Sequence, residues 1–437
     1  MHLAFPIMIG SIVETFYNLT DAFFLGKLGS AQVGAPSISF NIVFFLTVFG
    51  VGLSNAGMTL VSQSKGRGND NKADHFMNQT VSLLTFVSVF LAILGTLLSS
   101  GLLKLLATPQ EVYVFALPYM RIVFLGLPFS FVYFSFQASF TAIGDAAGPI
   151  KVHLLAVILN VILDPLLIYG FGSWPGWGVS GAAIATVLSQ FVGALLSVIV
   201  MMRGRSGLKL ALRKMRPDMD SWKLLGKIGM PASLGQGLSA FGFTVLQGVV
   251  NFFGTSAIAA FGVGNRIMHL FDIPTQGLSG ATASLVGRFL GAKDQKSSMT
   301  VVNAALILVL ILEIPLLTLA YFYGGGLVKL FVNDPEAIRL GTIMFQVVSP
   351  SLLAFGLFFA LSGAFQGAGD TKIILALAVL RLWFIRVPLA YYLAFRTGFG
   401  VLSIWIAMFA SNFITAIIGF LYYKQGKWRH ALSKHEF

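Results

Sequence analysis

Long apolar stretches alternate with short polar breaks along the whole chain. A helix that spans a bilayer needs about 20 mostly apolar residues. Twelve stretches qualify: residues 3–26, 33–61, 78–106, 112–142, 150–171, 178–202, 224–250, 256–285, 299–330, 338–367, 372–396 and 400–423. An outer-membrane barrel would show alternating segments of about ten residues instead. The breaks carry turn chemistry, as in Lys65-Gly-Arg-Gly-Asn-Asp70, Gly144-Asp-Ala-Ala-Gly-Pro149 and Trp174-Pro-Gly-Trp177. The pattern predicts an all-α polytopic membrane protein with twelve transmembrane helices.

A repeat underlies this pattern. Pro6 and Pro231 are 225 residues apart, and so are Gly29 and Gly254, Gly66 and Gly291, and Glu111 and Glu336. The pair Gly144-Asp145 recurs at the same offset as Gly369-Asp370. Gapless agreement of turn residues over most of a six-span half predicts two homologous lobes. The N-terminal lobe is expected over 1–202, a basic cytoplasmic linker over 203–227 and the C-terminal lobe over 228–437. Each half has an even number of spans, so both have the same topology. That arrangement places a central cavity at the lobe interface and suits alternating access.

Composition sharpens the class. Of 437 residues, 56% are hydrophobic and only 10% charged, with a mean hydropathy of +0.84; soluble domains are about one quarter charged. No polar stretch is long enough for a separate soluble domain, which excludes a single-pass receptor. Residues 1–27 lack a basic start and carry Glu14 and Asp21, unlike a cleaved signal peptide. The absence of cysteine removes disulfides, thiolate catalysis and Cys-based metal sites. There is no His-Glu-x-x-His, no Gly-x-Ser-x-Gly elbow and no Walker A loop, so neither an enzyme nor ATP coupling is expected.

A net charge of +13 invites a nucleic-acid partner, but its location argues otherwise. Eight Lys/Arg lie between Arg203 and Lys227, and four follow Tyr423. Twenty of the 29 basic residues fall on one side of the predicted topology and five on the other. By the positive-inside rule both termini are cytoplasmic, in a multi-pass plasma-membrane protein with no nucleic-acid partner.

Ionisable groups inside spans cost several kcal/mol unless paired or hydrated. Five acids fall there: Glu14, Asp21, Asp164, Asp272 and Glu313. Glu14, Asn18 and Asp21 are spaced i, i+4, i+7 on one face of the first span, and Asn160 and Asp164 share a face of the fifth. Pro165 then frees the carbonyl of Val161 as a further oxygen. Such a set can share one proton between two carboxylates. It can equally hold a monovalent cation such as Na+, or merely hydrogen-bond neighbouring helices. In the eighth span Arg266, His269 and Asp272 form a stripe whose charges can cancel internally or with Glu313. Asn18, Gln137, Gln247 and Gln276 are candidate polar groups of a substrate cavity, and some of the 41 Phe and 14 Met can line an apolar pocket.

The segment Phe16-Tyr-Asn-Leu-Thr-Asp-Ala-Phe-Phe-Leu-Gly-Lys-Leu-Gly29, fifteen residues after Pro6 at its Asp21, resembles the first span of multidrug and toxic compound extrusion (MATE) transporters. Val61-Ser-Gln-Ser-Lys-Gly66, Ala142-Ile-Gly-Asp145, Asn160-Val-Ile-Leu-Asp-Pro165 and Gln366-Gly-Ala-Gly-Asp-Thr-Lys372 are similar to that family too. The resemblance implies a two-lobed, V-shaped exporter that exchanges small amphipathic, often cationic drugs for H+ or Na+, with no other cofactor. In the branch related to DNA-damage-inducible transporters the coupling cluster lies in the first lobe. Asp21, Asn160 and Asp164 match it, with Tyr119 as a hydrogen-bonding neighbour and Pro6 as the bend point of the first helix. A monomer is expected. The alternative on a similar fold is a flippase for lipid-linked saccharides, which would line its cavity with several cations. Away from the span ends, the spans hold only Arg121, Arg266, Arg381 and Arg386 as basic residues.

Overall fold

The computed structural model describes residues 2–204 and 207–432, without the side chains of 14–19, 21, 22, 30 and 41. Among the described residues the chain is helical almost throughout. The helices are α1 Ala4–Gly26, α2 Ser30–Gly66, α3 Asp70–Leu105, α4 Gln110–Ala142, α5 Ala147–Tyr169 and α6 Val179–Met202. They continue as α7 Met219–Asn251, α8 Thr255–Gly291, α9 Gln295–Lys329 and α10 Pro335–Ala368. One further rod comprises α11 Thr371–Val379, a π-helical turn Leu380–Arg386 and α12 Val387–Arg396, and α13 Leu402–Gln425 is the last. These make twelve rods, one for each predicted span. Among the described residues nine helical stretches are long and apolar enough to cross a membrane by length and composition. The chain is a multi-pass membrane protein.

Helix ends and apolar ends do not coincide. α2 runs five residues past its apolar stretch and α3 starts eight residues before its own. The extra turns are polar, and caps hold them in water. Asn69 accepts a hydrogen bond from Lys72 N at 3.0 Å at the start of α3, and Asp294 accepts one from Ser297 N at 2.9 Å at the start of α9. Asn69 and Asp294 are themselves 225 residues apart. The turn before each cap closes alike, with Asn69 N donating to Ser64 O and Asp294 N to Phe289 O. Gly68 and Lys293 both take positive φ, +72° and +61°, so the second copy keeps the turn at a conformational cost that glycine avoids. The other repeated turn matches too: Asp145 N donates to Phe140 O, and Asp370 N to Phe365 O.

The chain divides into two compact units, residues 2–233 and 234 onward, with the boundary inside α7. In the first unit α4 is the central helix, packed on α2, α3 and α6. In the second that place belongs to α10, packed on α8, α9 and α13. Without a hydrophobic gain between helices in lipid, such contacts depend on close approach. Gly363 and Gly367, one turn apart on α10, meet the backbone of Ser279 and Ala283 on α8, where a Cβ would collide.

Residues 207–218, between α6 and α7, form a docked strap. Asp74, Asn78, Gln79 and Ser82 of α3 bond its backbone at Lys209, Ala211, Lys214, Met215, Arg216 and Asp218. Leu208 and Leu210 are buried beneath it.

Candidate functional site

α5 is apolar enough to span the membrane and carries two fully buried polar side chains, Asn160 and Asp164. Their i, i+4 spacing puts them on one face. Asn160 Nδ2 donates to Asp164 Oδ1 at 3.3 Å. The other amide atom, Asn160 Oδ1, is buried without a hydrogen-bond donor among the described residues. A buried acceptor of this kind is costly, and a proton donor or cation brought to it relieves the cost. Pro165 leaves the carbonyl of Val161 without its usual donor in the helical ladder, as the sequence indicates.

α1 lies along α5. Gly10 faces Ile150, and Tyr169 Oη donates to the carbonyl of Phe24. The two helices therefore run in the same direction. Asp21 precedes Phe24 by three residues and Asp164 precedes Tyr169 by five, so their backbone positions lie at similar levels. The side chains of Glu14, Asn18 and Asp21 lie outside the described residues. Tyr119 is half-buried on α4. Pro6 sits in the first turn of α1, where its missing N–H breaks no ladder bond within the described helix.

The second unit holds a separate set of charges. Glu313 is buried on α9, and its carboxyl occupies the space that a Cβ on Gly356 would need. Asp272 interacts electrostatically with both Glu313 and Arg381. Arg266, the partner expected from spacing, is exposed on α8, as is His269. Arg381 and Arg386 occupy the π-helical turn and are both buried. Arg381 lies over the Phe355 ring at 4.4 Å. Arg386 donates from Nε to Ser411 Oγ at 2.8 Å and from Nη2 to Asn412 Oδ1 at 2.6 Å, and Asn412 Nδ2 donates onward to Ser351 Oγ at 3.2 Å. Sequence spacing missed this network because the five-residue interval between the arginines fits no face of a regular α-helix. Polar Ser411 and Asn412 within the last span were the available signal. Of the candidate glutamines, Gln137 is half-buried, Gln247 donates to Asn251 Oδ1 at 2.9 Å and Gln276 is exposed. Among the described residues no group of three or more acids and histidines is arranged to hold a metal.

Comparison with known proteins fits this two-unit, repeated architecture. The family model MatE matches the chain twice, over residues 6–166 and 231–392. The chain belongs to the MATE family. The starts of the two matches are separated by the 225-residue offset of the sequence repeat. MATE proteins are transporters, so the chain is a membrane transporter and not an enzyme. A relative described as a probable multidrug resistance protein, YpnP of Bacillus subtilis (strain 168), is 28% identical, with 97% of this chain and 94% of the relative covered. The chain is also similar to a protein described as an FAD transporter of Shewanella oneidensis, at 25% identity over 95% of this chain and 92% of that one. A crystal structure of a MATE protein in the bent conformation superposes with a TM-score of 0.92 at 24% identity, covering 99% of this chain and 95% of that one. The fold is therefore that of the two-lobed MATE transporters.

Proposed function

We propose that this MATE transporter is a secondary active multidrug exporter. It antiports amphipathic, often cationic drugs against H+ or Na+ by alternating access, as a monomer in the plasma membrane with both termini cytoplasmic. The observation that carries the coupling half of this reading is the buried Asn160–Asp164 pair on α5. A carboxylate in a spanning helix is a functional group by default, because its charge is expensive there. Taking up H+ or Na+ neutralises that charge, and a ligand shifts a conformational equilibrium only through different affinity for its states. Asp21, level with Asp164 on the neighbouring helix, is the second carboxylate of the proposed site, Tyr119 its hydrogen-bonding neighbour and Pro6 the bend point of α1. The drug half rests on the relatives, among which multidrug resistance proteins recur.

A second reading takes an anionic substrate, as a flippase for lipid-linked saccharides would. It draws on Arg381 and Arg386, two buried cations on one turn, and on the relative described as an FAD transporter. The lobe 1–202, linker 203–227 and lobe 228–437 are retained as the working division of the transport cycle. Inverted vesicles given a cationic fluorescent dye on their outer, cytoplasmic face separate the readings. Antiport predicts dye movement under a pH gradient alone or a Na+ gradient alone. Movement under neither gradient, with an anionic substrate transported instead, would overturn it.

A further inference from the structure

The strap between α6 and α7 has two sides. Its backbone faces α3, where Gln79 Nε2 donates to Lys214 O at 3.0 Å and Arg216 O at 2.8 Å, and Ser82 Oγ donates to Met215 O at 2.7 Å. Its cationic side chains face away. Arg213, Lys214 and Arg216 are exposed, and among the described residues no acid lies within ion-pairing distance of them. Leu212, at the start of the 3₁₀ turn Leu212–Met215, is 69% exposed.

The register on α3 gives the depth of this surface. His75, Gln79 and Ser82, which hold the strap and the start of α7, share a helical face with Phe86, Phe90, Ile93 and Leu97. The latter four are all exposed apolar side chains of a helix long and apolar enough to span a membrane. The strap therefore lies on the exposed apolar side of α3, and its tip, held at Ser82, sits one turn from Phe86. An aromatic pair marks that level: the Trp222 ring of α7 lies 5.4 Å from the Phe86 ring. Tryptophan is enriched at membrane–water interfaces. Here its Nε1–H is buried without a partner among the described residues.

We infer that Arg213, Lys214 and Arg216, standing over the Phe86–Trp222 pair, bind the headgroup of an anionic phospholipid in the adjoining leaflet. Exposed cations held at headgroup depth beside an exposed leucine combine electrostatic attraction with a shallow apolar foothold. A flexible basic loop would spend that attraction on ordering itself. Here α3 has already ordered the backbone. The inference stands independently of what the protein transports.

Brominated lipids test it on the full-length protein reconstituted in phosphatidylcholine vesicles. Quenching by dibrominated phosphatidylglycerol is compared with quenching by dibrominated phosphatidylcholine, and Trp222→Phe isolates the Trp222 signal. The anionic lipid should quench at a mole fraction lower by roughly fivefold or more, the weight of one surface cation on an anionic leaflet. The triple variant Arg213→Gln, Lys214→Gln, Arg216→Gln should lose this preference while keeping its fold, since only the backbone of these residues anchors the strap. Raising NaCl from about 0.1 M to about 1 M should weaken the preference as well. Equal quenching by the two lipids would overturn the inference, as would a preference that survives the triple substitution. Abolition of the preference by free inorganic phosphate at matched ionic strength would assign the site to a soluble anion and overturn the lipid assignment.

Discussion

Asp164 has no exposure to solvent and shares one oxygen with the Asn160 amide. That pair was legible from the sequence because Asn and Asp one turn apart stand out in an otherwise apolar span. The Arg386–Asn412–Ser351 network was not, since its members come from three rods and one of them is wound with π-helical spacing. Gly356 was equally silent, because nothing in a sequence says that a distant carboxyl fills the place of a Cβ. Gly356→Ala should push the Glu313 carboxyl out of its seat at an overpacking cost of roughly 1–3 kcal/mol. A lower melting temperature of the purified protein, restored by the second substitution Glu313→Ala, is the expected outcome. An unchanged melting temperature for the single variant would show that the two do not meet.

The sequence located the elements by their apolar content, but the helical ladder continues wherever caps and polar turns allow. This is why α2, α3, α7, α8 and α9 all run further than their hydrophobic stretches. The docking of the strap was invisible for a related reason: side chains that bond a backbone leave no residue pattern at the other end. Gln79 makes three such bonds, including acceptance from Asp218 N at 3.0 Å. Gln79→Ala should weaken docking by about 1 kcal/mol per bond. Tryptic cleavage at Arg213 and Lys214 should then rise by roughly tenfold or more. Cleavage at the native rate would show that the strap is held elsewhere.

Asp218 closes the same element. Its carboxyl accepts from Ser221 Oγ at 2.7 Å and lies 3.1 Å from His75 Nε2. The Ser221 hydrogen bond, with help from His75 and against the opposing effect of burial, holds the Asp218 carboxyl below its ordinary 3.8. A depressed carboxylate contributes stability that is fully present above the unfolded value and is lost as pH falls through the folded one. The difference in melting temperature between the native protein and Asp218→Asn should therefore shrink as pH falls below about 4. A difference that grows on acidification would contradict the assigned sign.

At the scale of the whole molecule, the repeat was the most readable feature. Turn residues 225 apart close with the same hydrogen bonds, and the MatE model matches once in each half. The candidate site breaks this symmetry. The positions 225 residues after Asn160 and Asp164 are Ile385 and Leu389, beside Arg386 on the π-helical rod. The second unit thus carries apolar residues where the first carries the Asn160 amide and the Asp164 carboxylate. This asymmetry is consistent with ion coupling assigned to the first lobe, and it makes Asp164 the residue on which the account depends.

The most direct measurement is gradient-driven dye export by Asp164→Asn protein in inverted vesicles, set beside equilibrium drug binding by the same purified protein. The substitution keeps size and hydrogen bonding and removes the charge that H+ or Na+ must neutralise. The account predicts that export falls to the background of empty vesicles while drug binding persists, with Asn160→Ala showing a smaller loss of export. Well-expressed Asp164→Asn protein that exports dye at the native rate under the same gradient would contradict it.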